Sequence, residues 1–350
     1  MAIRVLIVED SPFMQRLLSA LIGEQDDLKV VGVAQDPFEA RERIKELKPD
    51  VITLDVEMPR MDGVTFLEKL MRLRPMPVVM VSSITESNAA ITLRALELGA
   101  VDFVTKPKGD GVRELAEFGA ELNDKLRIAA RAELKAVHAM GTPPAVSSTA
   151  TFDPAAVIAL GASTGGTEAI KEILVRLPPN APPVVIVQHM PEMFTRLFAK
   201  RLDDLCALKV TEASHGESLQ SGHAYVAPGN WHLNIVKVGS RLEACIAQTD
   251  AVNRHRPSVD VLFRSVAESV GARAVGVILT GMGRDGADGL GAMKRSGAFT
   301  IAQAGDSCVV FGMPKAAIEA GHVDCVAPAE NIASHILIAL QRETTLPKRL

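Results

Sequence analysis

The strongest constraint on the fold is a repeated alternation of short, continuous apolar runs with amphipathic segments of helical period. In the first third of the chain the apolar runs are RVLIVED, KVVGVA, VITLD, PVVMVSS and VDFVTK, and a helical pattern follows each one. Strands that are apolar on both faces belong to parallel sheets with helices on each side. Residues 1–122 are therefore predicted to form a (βα)5 doubly wound sheet of the α/β class.

The same alternation starts again at residue 153 and continues to about residue 345, with strand-like runs AVIALGAS, PVVIVQHM, AVGVILTG and FTIAQAG. Between KVTEASHGESL and ACIAQTDAV the pattern changes to short strands and hairpins, with turn residues such as Pro228-Gly229-Asn230. We predict a second α/β domain over residues 153–345, with a mainly parallel sheet and a β-rich insertion. Residues 123–152, which end in GTPPAVSSTATF, are predicted to extend the last helix and then form a linker.

Composition excludes several classes of protein. Aromatic residues make up 4% of the chain and the formal net charge is −4, so the chain lacks the stacking rings and the basic face of a nucleic-acid-binding protein. No apolar stretch approaches the roughly 18–20 residues of a membrane span, so no membrane insertion is expected. The short N-terminal apolar run is not a signal peptide, and the cysteines lack C-x-x-C spacing, so we predict a cytoplasmic protein with reduced thiols.

Acidic residues follow two strands of the first predicted sheet. Glu9 and Asp10 follow the first strand, and Asp55 ends the third. Strands 1 and 3 flank the topological switch point, where their carboxyl ends converge. One such acid alone is more often a helix cap or a solvated loop residue, but three carboxylates together require a hard cation such as Mg²⁺. Ser82 and Lys106 end the fourth and fifth strands, so the set could hold a phosphoryl group on a carboxylate.

This order of motifs, VLIVEDSP, ITLDVEMPRMDG, VVMVSS and DFVTKP, resembles the receiver domain of two-component response regulators. The resemblance implies that a histidine kinase phosphorylates Asp55. It implies a set of Mg²⁺ ligands, namely Glu9, Asp10, Asp55 and the backbone carbonyl of Glu57. It also implies that Ser82 and Lys106 sense the phosphoryl group and that Phe103 is the switch aromatic residue, in a position that is often Tyr in relatives.

The second domain offers a candidate nucleophile. Ser163 lies in GASTGG, where a buried strand turns into a helix, so its hydroxyl could be exposed near helix N-terminal amides. Two alternatives are a dinucleotide phosphate loop, although G-x-G-x-x-G spacing is lacking, and a purely structural tight turn.

Two further polar residues follow other strands of the second sheet. His189 follows PVVIVQ, and Asp285 lies in ILTGMGRDGADG. A packed histidine or a turn aspartate would be the commoner role for either one alone. Together with Ser163 they form the set that acyl transfer needs, in which Ser attacks, His moves the proton and Asp fixes the imidazole tautomer. The backbone N–H of Met282 is a candidate oxyanion donor.

Other histidines compete with His189 for the role of base, and they lie in or beside the β-rich insertion: His215, His223, His232 and His255. Arg254, His255 and Arg256 also form a local positive cluster. This cluster is either a solvated cap before the next helix or a site that recognises an acidic partner.

The motifs GASTGG, VIVQHMP, HRPSVD and ILTGMGRDGADG resemble the chemotaxis methylesterase CheB family. The resemblance covers both domains in this order. It implies hydrolysis of γ-glutamyl methyl esters on methyl-accepting chemoreceptors, with release of methanol, and deamidation of specific receptor glutamines. The catalytic residues would be Ser163, His189 and Asp285, with Thr164 and Met282 close by, and the esterase would need no cofactor.

The resemblance also implies two partners, a chemotaxis-type histidine kinase as phosphodonor and the cytoplasmic helices of chemoreceptors as substrate. From the domain order and the long linker we hypothesise that the unphosphorylated receiver blocks access to Ser163. Two alternative hypotheses place the chain in other functional classes. One is a response regulator with a DNA-binding output, which would need a basic helix-turn-helix after the linker. The other is a non-catalytic scaffold.

Overall fold

The chain divides into two compact units in the computed structural model, Met1–Ala139 and Met140–Leu350. The structure describes residues 2–83, 85–107, 109, 111–132 and 151–344. Most of the predicted linker, residues 133–150, lies outside the described residues, so the domain limits drawn from the sequence stay predictions.

The first unit is a five-stranded sheet in the order β2-β1-β3-β4-β5, and every neighbouring pair of strands is parallel. This confirms the predicted doubly wound α/β architecture. Its strands are β1 (Ile3–Val8), β2 (Leu28–Ala34), β3 (Val51–Asp55), β4 (Val78–Ser82) and β5 (Asp102–Thr105). Its helices are α1 (Pro12–Gly23), α2 (Pro37–Leu47), α3 (Gly63–Leu73), α4 (Glu86–Glu97) and α5 (Val112–Ala129).

Strand register and helix caps fix the carboxyl edge of this sheet. Val8 of β1 is paired with Leu54 of β3, so the residues that follow them, Glu9 and Asp55, are neighbours. The helices that leave this edge begin at polar caps, since Ser11 accepts from the amide of Met14 and Asp62 from that of Thr65.

The second unit contains a seven-stranded sheet in the order β14-β13-β12-β6-β7-β9-β8, again parallel throughout. Its strands are β6 (Val157–Ala162), β7 (Val184–Gln188), β8 (Lys209–Glu212), β9 (His223–Val226), β12 (Ala274–Ile278), β13 (Phe299–Gln303) and β14 (Cys325–Ala327). A separate antiparallel hairpin is made of β10 (His232–Val238) and β11 (Arg241–Ala247). The helices are α6 (Gly166–Leu174), α7 (Glu192–Leu205), α8 (Val259–Ser269), α9 (Ala287–Arg295), α10 (Met313–Glu319) and α11 (Ala329–Thr344).

The predicted β-rich insertion is smaller than the sequence suggested. Only the β10–β11 hairpin is separate, whereas β8 and β9 extend the main sheet in parallel. Residues 213–222 connect these two strands and let the chain return to the same end of the sheet. Three of the four residues of β9 are buried. Burial against the main sheet, and not the presence of turn residues nearby, therefore decides which strands β9 pairs with.

The three central strands of this sheet end level with one another. Gly161 of β6 is paired with Ile278 of β12 on one side and with Val187 of β7 on the other. The loops that follow these strands therefore meet at one edge, at the centre of the sheet. One face of the sheet is covered by α8, α9 and α10, through buried residues such as Phe263 and Leu290.

Within the described part of the chain, no helix combines the length and the apolar character that crossing a membrane requires.

Candidate active site and acidic site

The acidic site of the first unit lies at the switch point between β1 and β3. Glu9, Asp10 and Asp55 each offer a carboxylate oxygen, and these oxygens lie within 4.8 Å of one another. The Lys106 ammonium, just after β5, lies 2.9 Å from Asp55 and 3.0 Å from Glu9. Glu9 and Asp55 are 1% and 3% exposed, so two buried carboxylates share the partly exposed ammonium of Lys106.

The pKa values of both buried acids are raised above their ordinary values. Burial raises the pKa of Glu9 to about 7, and the Asp55 charge adds to the effect against the attraction of Lys106. Burial also raises the pKa of Asp55, although Lys106 opposes it. An all-oxygen donor set with excess negative charge is what Mg²⁺ prefers, so these residues fit the ion that the receiver resemblance implies.

Of the other residues predicted for the acidic site, Glu57 contacts Asp55, whereas Ser82 and Phe103 contact other groups. The backbone N–H of Glu57 donates to Asp55 at 3.4 Å, while the Glu57 side chain is exposed. The hydroxyl of Ser82 is buried, accepts a hydrogen bond from Thr92 at 3.0 Å and contacts the carbonyl of Ser83 at 3.3 Å. Phe103 is buried, and its ring centre lies 5.1 Å from the ammonium of Lys125.

Ser163 of the second unit is held at the central strand edge by its backbone. Its N–H donates to the carbonyl of Thr280 at 3.0 Å, and its carbonyl accepts from Gly166 at 2.7 Å and from the Gln188 side chain at 2.9 Å. Gly165 is in the left-handed region (φ 76°), and a side chain there would collide with Val309. This tight turn places the partly exposed Ser163 in front of helix α6.

His189 and Asp285 form a buried pair at the same edge. His189 follows β7, and its Nε2 lies 2.8 Å from Oδ2 of Asp285. The side chains are 8% and 1% exposed, so water has little access to the bond. The His189 backbone N–H donates to Ala162, the residue before Ser163, which ties this segment to the Ser163 turn.

Asp285 accepts several further hydrogen bonds. Asn253 and Ser258 donate to its Oδ1, each at 2.7 Å, and the backbone N–H of Val259 donates to its Oδ2 at 2.7 Å. Burial alone would raise the pKa of Asp285. The hydrogen bond and charge of His189 oppose burial, as do the hydrogen bonds from Asn253 and Ser258. Together they hold the pKa of Asp285 well below its usual range. Asp285 is therefore ionised at neutral pH.

The nitrogen roles in His189 are the reverse of those in chymotrypsin-type triads, where the carboxylate binds Nδ1. Because Nε2 donates to Asp285, Nδ1 is the lone-pair nitrogen that can take a proton. His189 Nδ1 is buried and has no hydrogen-bond partner among the described residues. Ser163 Oγ is not hydrogen-bonded to it in the part of the chain that the structure covers.

Thr164 directly follows Ser163, and Met282 follows a glycine that packs against Ser163. Thr164 is 6% exposed, and its carbonyl accepts from the hydroxyl of Thr280 at 2.9 Å. Met282 is 42% exposed and follows Gly281, where a Cβ would lie 2.7 Å from that of Ser163. The backbone at Gly281, next to Met282, therefore packs against Ser163.

The competing histidines occupy different environments. His215 and His223 contact backbone carbonyls near the surface, and His232 is fully buried between the carbonyl of Asp250 and the N–H of Ser258. Only His255 among these four stacks on His189, with ring centres 3.7 Å apart.

Sequence reasoning missed the partners of Asp285, namely Asn253, Ser258 and the N–H of Val259. The segment NRHRPSVD, whose pattern indicates a positive cluster and a family motif, contains all of them. A run of polar residues ahead of a helix was the sequence signal that could have identified these partners. Their contact with Asp285 joins distant parts of the chain, so that signal does not reveal it.

A doubly wound unit with an acidic cluster, followed by an α/β unit with Ser, His and Asp at one sheet edge, defines a response regulator with a hydrolase-type output. The family model described as response regulator receiver domain matches residues 5–116, and the one described as CheB methylesterase matches residues 158–336. The chain belongs to the CheB methylesterase family.

Relatives cover the whole arrangement. A protein-glutamate methylesterase/protein-glutamine glutaminase 1 of Geobacter metallireducens is 56% identical over 336 residues, which cover 93% of each chain. A protein-glutamate methylesterase/protein-glutamine glutaminase of Thiobacillus denitrificans is 55% identical over 343 residues, which cover 96% of each chain. The crystal structure of the Thermotoga maritima CheB methylesterase catalytic domain is 40% identical with a TM-score of 0.52 and covers 52% of this chain and 97% of that chain.

Proposed function

We propose that this chain hydrolyses γ-glutamyl methyl esters on methyl-accepting chemoreceptors, deamidates specific receptor glutamines, and is activated by phosphorylation of Asp55. The names of its relatives support the two activities. The observation that carries the chemistry is the buried His189–Asp285 bond, 2.8 Å long, at the strand edge where Ser163 also lies.

In the proposed reaction, Ser163 Oγ attacks the carbonyl carbon of the ester while His189 Nδ1 takes the hydroxyl proton. Asp285 stabilises the imidazolium that forms. The C–O bond to the methoxy group breaks, and His189 returns the proton so that methanol leaves. Water then attacks the acyl carbon with His189 again as base. The bond from that carbon to Ser163 Oγ breaks, and His189 returns the proton to Ser163, which releases the receptor glutamate. In deamidation, ammonia leaves in place of methanol.

The oxyanion of each tetrahedral intermediate needs hydrogen-bond donors that are already in position. We assign this role to the backbone N–H of Met282, with Thr164 close by. The N-terminus of helix α6 lies just beyond Ser163 and adds a favourable dipole for negative charge. The esterase reaction assigned to these residues calls for no cofactor.

Control of the reaction is assigned to the first unit. Glu9, Asp10, Asp55 and the Glu57 carbonyl would hold Mg²⁺, which would neutralise the negative charge of an approaching phosphodonor. The Asp55 carboxylate would accept the phosphoryl group from a chemotaxis-type histidine kinase. Lys106 would exchange its bond to Asp55 for a phosphoryl oxygen. The Ser82 hydroxyl would turn away from the carbonyl of Ser83 and donate to another phosphoryl oxygen.

We propose that Phe103 changes position with this rearrangement and that the phosphorylated form favours an open Ser163 site. The proposed substrate is the cytoplasmic helices of the receptors, which agrees with the predicted cytoplasmic location.

The test is methanol release from methylated chemoreceptor membranes, with and without a small phosphodonor and Mg²⁺. Wild-type release should rise with the phosphodonor, Ser163→Ala should release none, and Asp55→Asn should not respond to the phosphodonor. Ser221→Ala, in an exposed turn of the same unit, is the matched control and should behave as wild type. Release by Ser163→Ala would overturn the nucleophile, and a responsive Asp55→Asn would overturn the phosphorylation site.

A further inference from the structure

A four-residue hairpin turn beside the active site carries unusual backbone angles. Val252 and His255 exchange both backbone hydrogen bonds, at 2.9 and 3.1 Å, around Asn253 and Arg254. Asn253 and Arg254 have φ angles of 53° and 67°, in the left-handed region that non-glycine residues avoid. Such backbone strain persists where the surroundings hold it, often at functional sites.

The second residue of this turn, Asn253, joins two buried carboxylates. The side-chain amide of Asn253 donates to Asp285 Oδ1 at 2.7 Å and to Asp260 Oδ2 at 2.9 Å. Both partners are acceptors, so the amide nitrogen must face them and both of its hydrogens are used. Asp285 and Asp260 are each 2% exposed and would repel each other without a shared donor.

The last residue of the turn packs flat on the candidate base. The rings of His255 and His189 have centres 3.7 Å apart and an interplanar angle of 13°. The bond from Nε2 to Asp285 holds His189 at one edge only, so the ring could still tilt about that contact. A flat ring against its face removes this freedom and fixes the direction in which Nδ1 points.

We propose that the Val252–His255 turn is a positioning element for the esterase reaction: Asn253 holds the Asp285 carboxylate, and His255 holds the plane of the His189 ring. This inference rests on the proposed function, because it assigns the two residues to the Ser163 reaction. Neither residue needs to touch the substrate. A misplacement of about 1 Å in a reacting geometry can cost about 10²-fold in rate, so loss of either contact should lower kcat.

The experiment uses the full chain with saturating phosphodonor and Mg²⁺. It compares His255→Ala, which removes the ring, with His255→Phe, which keeps a flat ring of similar size. Asn253→Gly tolerates the left-handed φ but lacks the amide. His215→Ala removes an exposed histidine of the same unit and is the matched control. Thermal unfolding of each variant reports whether it is folded.

Two rates are measured: methanol release from receptor membranes, with kcat and KM determined separately, and the nitrophenol burst on acylation by a nitrophenyl ester. The burst reports the reactivity of Ser163 whatever the natural substrate is. We expect His255→Ala and Asn253→Gly to lower kcat and the burst rate at least about tenfold with KM unchanged within about twofold. His255→Phe should recover most of the rate, and His215→Ala should match wild type.

Wild-type rates in His255→Ala, or a His255→Phe variant as slow as His255→Ala, would overturn the role of the stacked ring. A wild-type burst without methanol release would overturn the proposed receptor substrate and still test the positioning element. A wild-type enzyme that gives no burst would overturn both the proposed function and the positioning element.

Discussion

Asp285 serves both as the partner of His189 and as a cap for helix α8. Ser258 is the N-cap residue of α8, yet its side chain makes no capping bond, because its hydroxyl donates to Asp285 at 2.7 Å. Asp285 instead accepts from the first two backbone N–H groups of the helix, those of Val259 at 2.7 Å and Asp260 at 3.4 Å. A carboxylate at a helix N-terminus is favoured by the helix dipole, so the cap and the ionised state support each other.

We expect Asp285→Asn to lower kcat by about 10⁴-fold, because a neutral amide no longer stabilises the imidazolium or fixes its tautomer. It should also destabilise the second unit by about 1–3 kcal/mol, since buried donors lose their charged acceptor. Methanol release and urea unfolding measure the two effects. Asp288→Asn is the control, because that carboxylate is half exposed and pairs with Arg284 on the surface. Equal losses in both variants would contradict this role for Asp285.

At the scale of elements, close approach of backbone segments places the functional groups. Gly63 is the first residue of α3, and a Cβ built there would lie 1.9 Å from the carbonyl oxygen of Asp55. Its backbone N–H also donates to Val56 at 2.9 Å. Only the absence of a side chain lets α3 begin directly against the end of β3, so Gly63 sets the backbone at the acidic site.

Gly63→Ala should therefore push α3 away from β3. We expect a loss of about 1–3 kcal/mol in the stability of the first unit, together with slower labelling of Asp55 by a phosphodonor. Denaturant unfolding and a phosphorylation assay measure these effects. Gly111→Ala, in the same unit, meets nothing within 4 Å and should change stability by less than about 0.5 kcal/mol. A Gly63→Ala variant as stable as Gly111→Ala would show that the two elements are not in tight contact.

The element pattern was largely predictable from sequence, because apolar runs identify buried parallel strands and the ends of those strands meet at one edge. That argument brought Glu9, Asp55 and Lys106 together, and it placed Ser163 and His189 at one edge. It missed the parallel pairing of β8 with β9 and the turn that contains Asn253. Both depend on contacts between distant parts of the chain, such as that of Asn253 with Asp285, which no local periodicity encodes.

At the scale of the whole molecule, each unit has its own sheet and its own buried residues, so a ligand of one unit should stabilise that unit selectively. The acidic site makes the stability of the first unit depend on pH. In the folded unit the pKa of Glu9 is about 7, against an ordinary value of 4.5, so between these values the folded state binds more protons than the unfolded state. Without a cation, stability must therefore fall as pH rises through this range.

The raised pKa of Asp55 adds to this loss of stability with rising pH. The pKa of Lys106 is raised from 10.5, so Lys106 contributes nothing to the dependence below about pH 10. Mg²⁺ would bind the ionised carboxylates, so it should raise the unfolding temperature of the first unit more at pH 8 than at pH 5. Calorimetry of the full chain with Mg²⁺ or with a chelator measures this.

Glu9→Gln should flatten the dependence on pH and weaken the effect of Mg²⁺. Glu46→Gln, an exposed acid on α2, should preserve both and is the matched control. Equal Mg²⁺ shifts at pH 5 and pH 8, or a shift confined to the second unit, would contradict this account. The buried carboxylate charge that destabilises the first unit without Mg²⁺ is the same charge that would attract the ion, so the two effects should change together in any variant of Glu9.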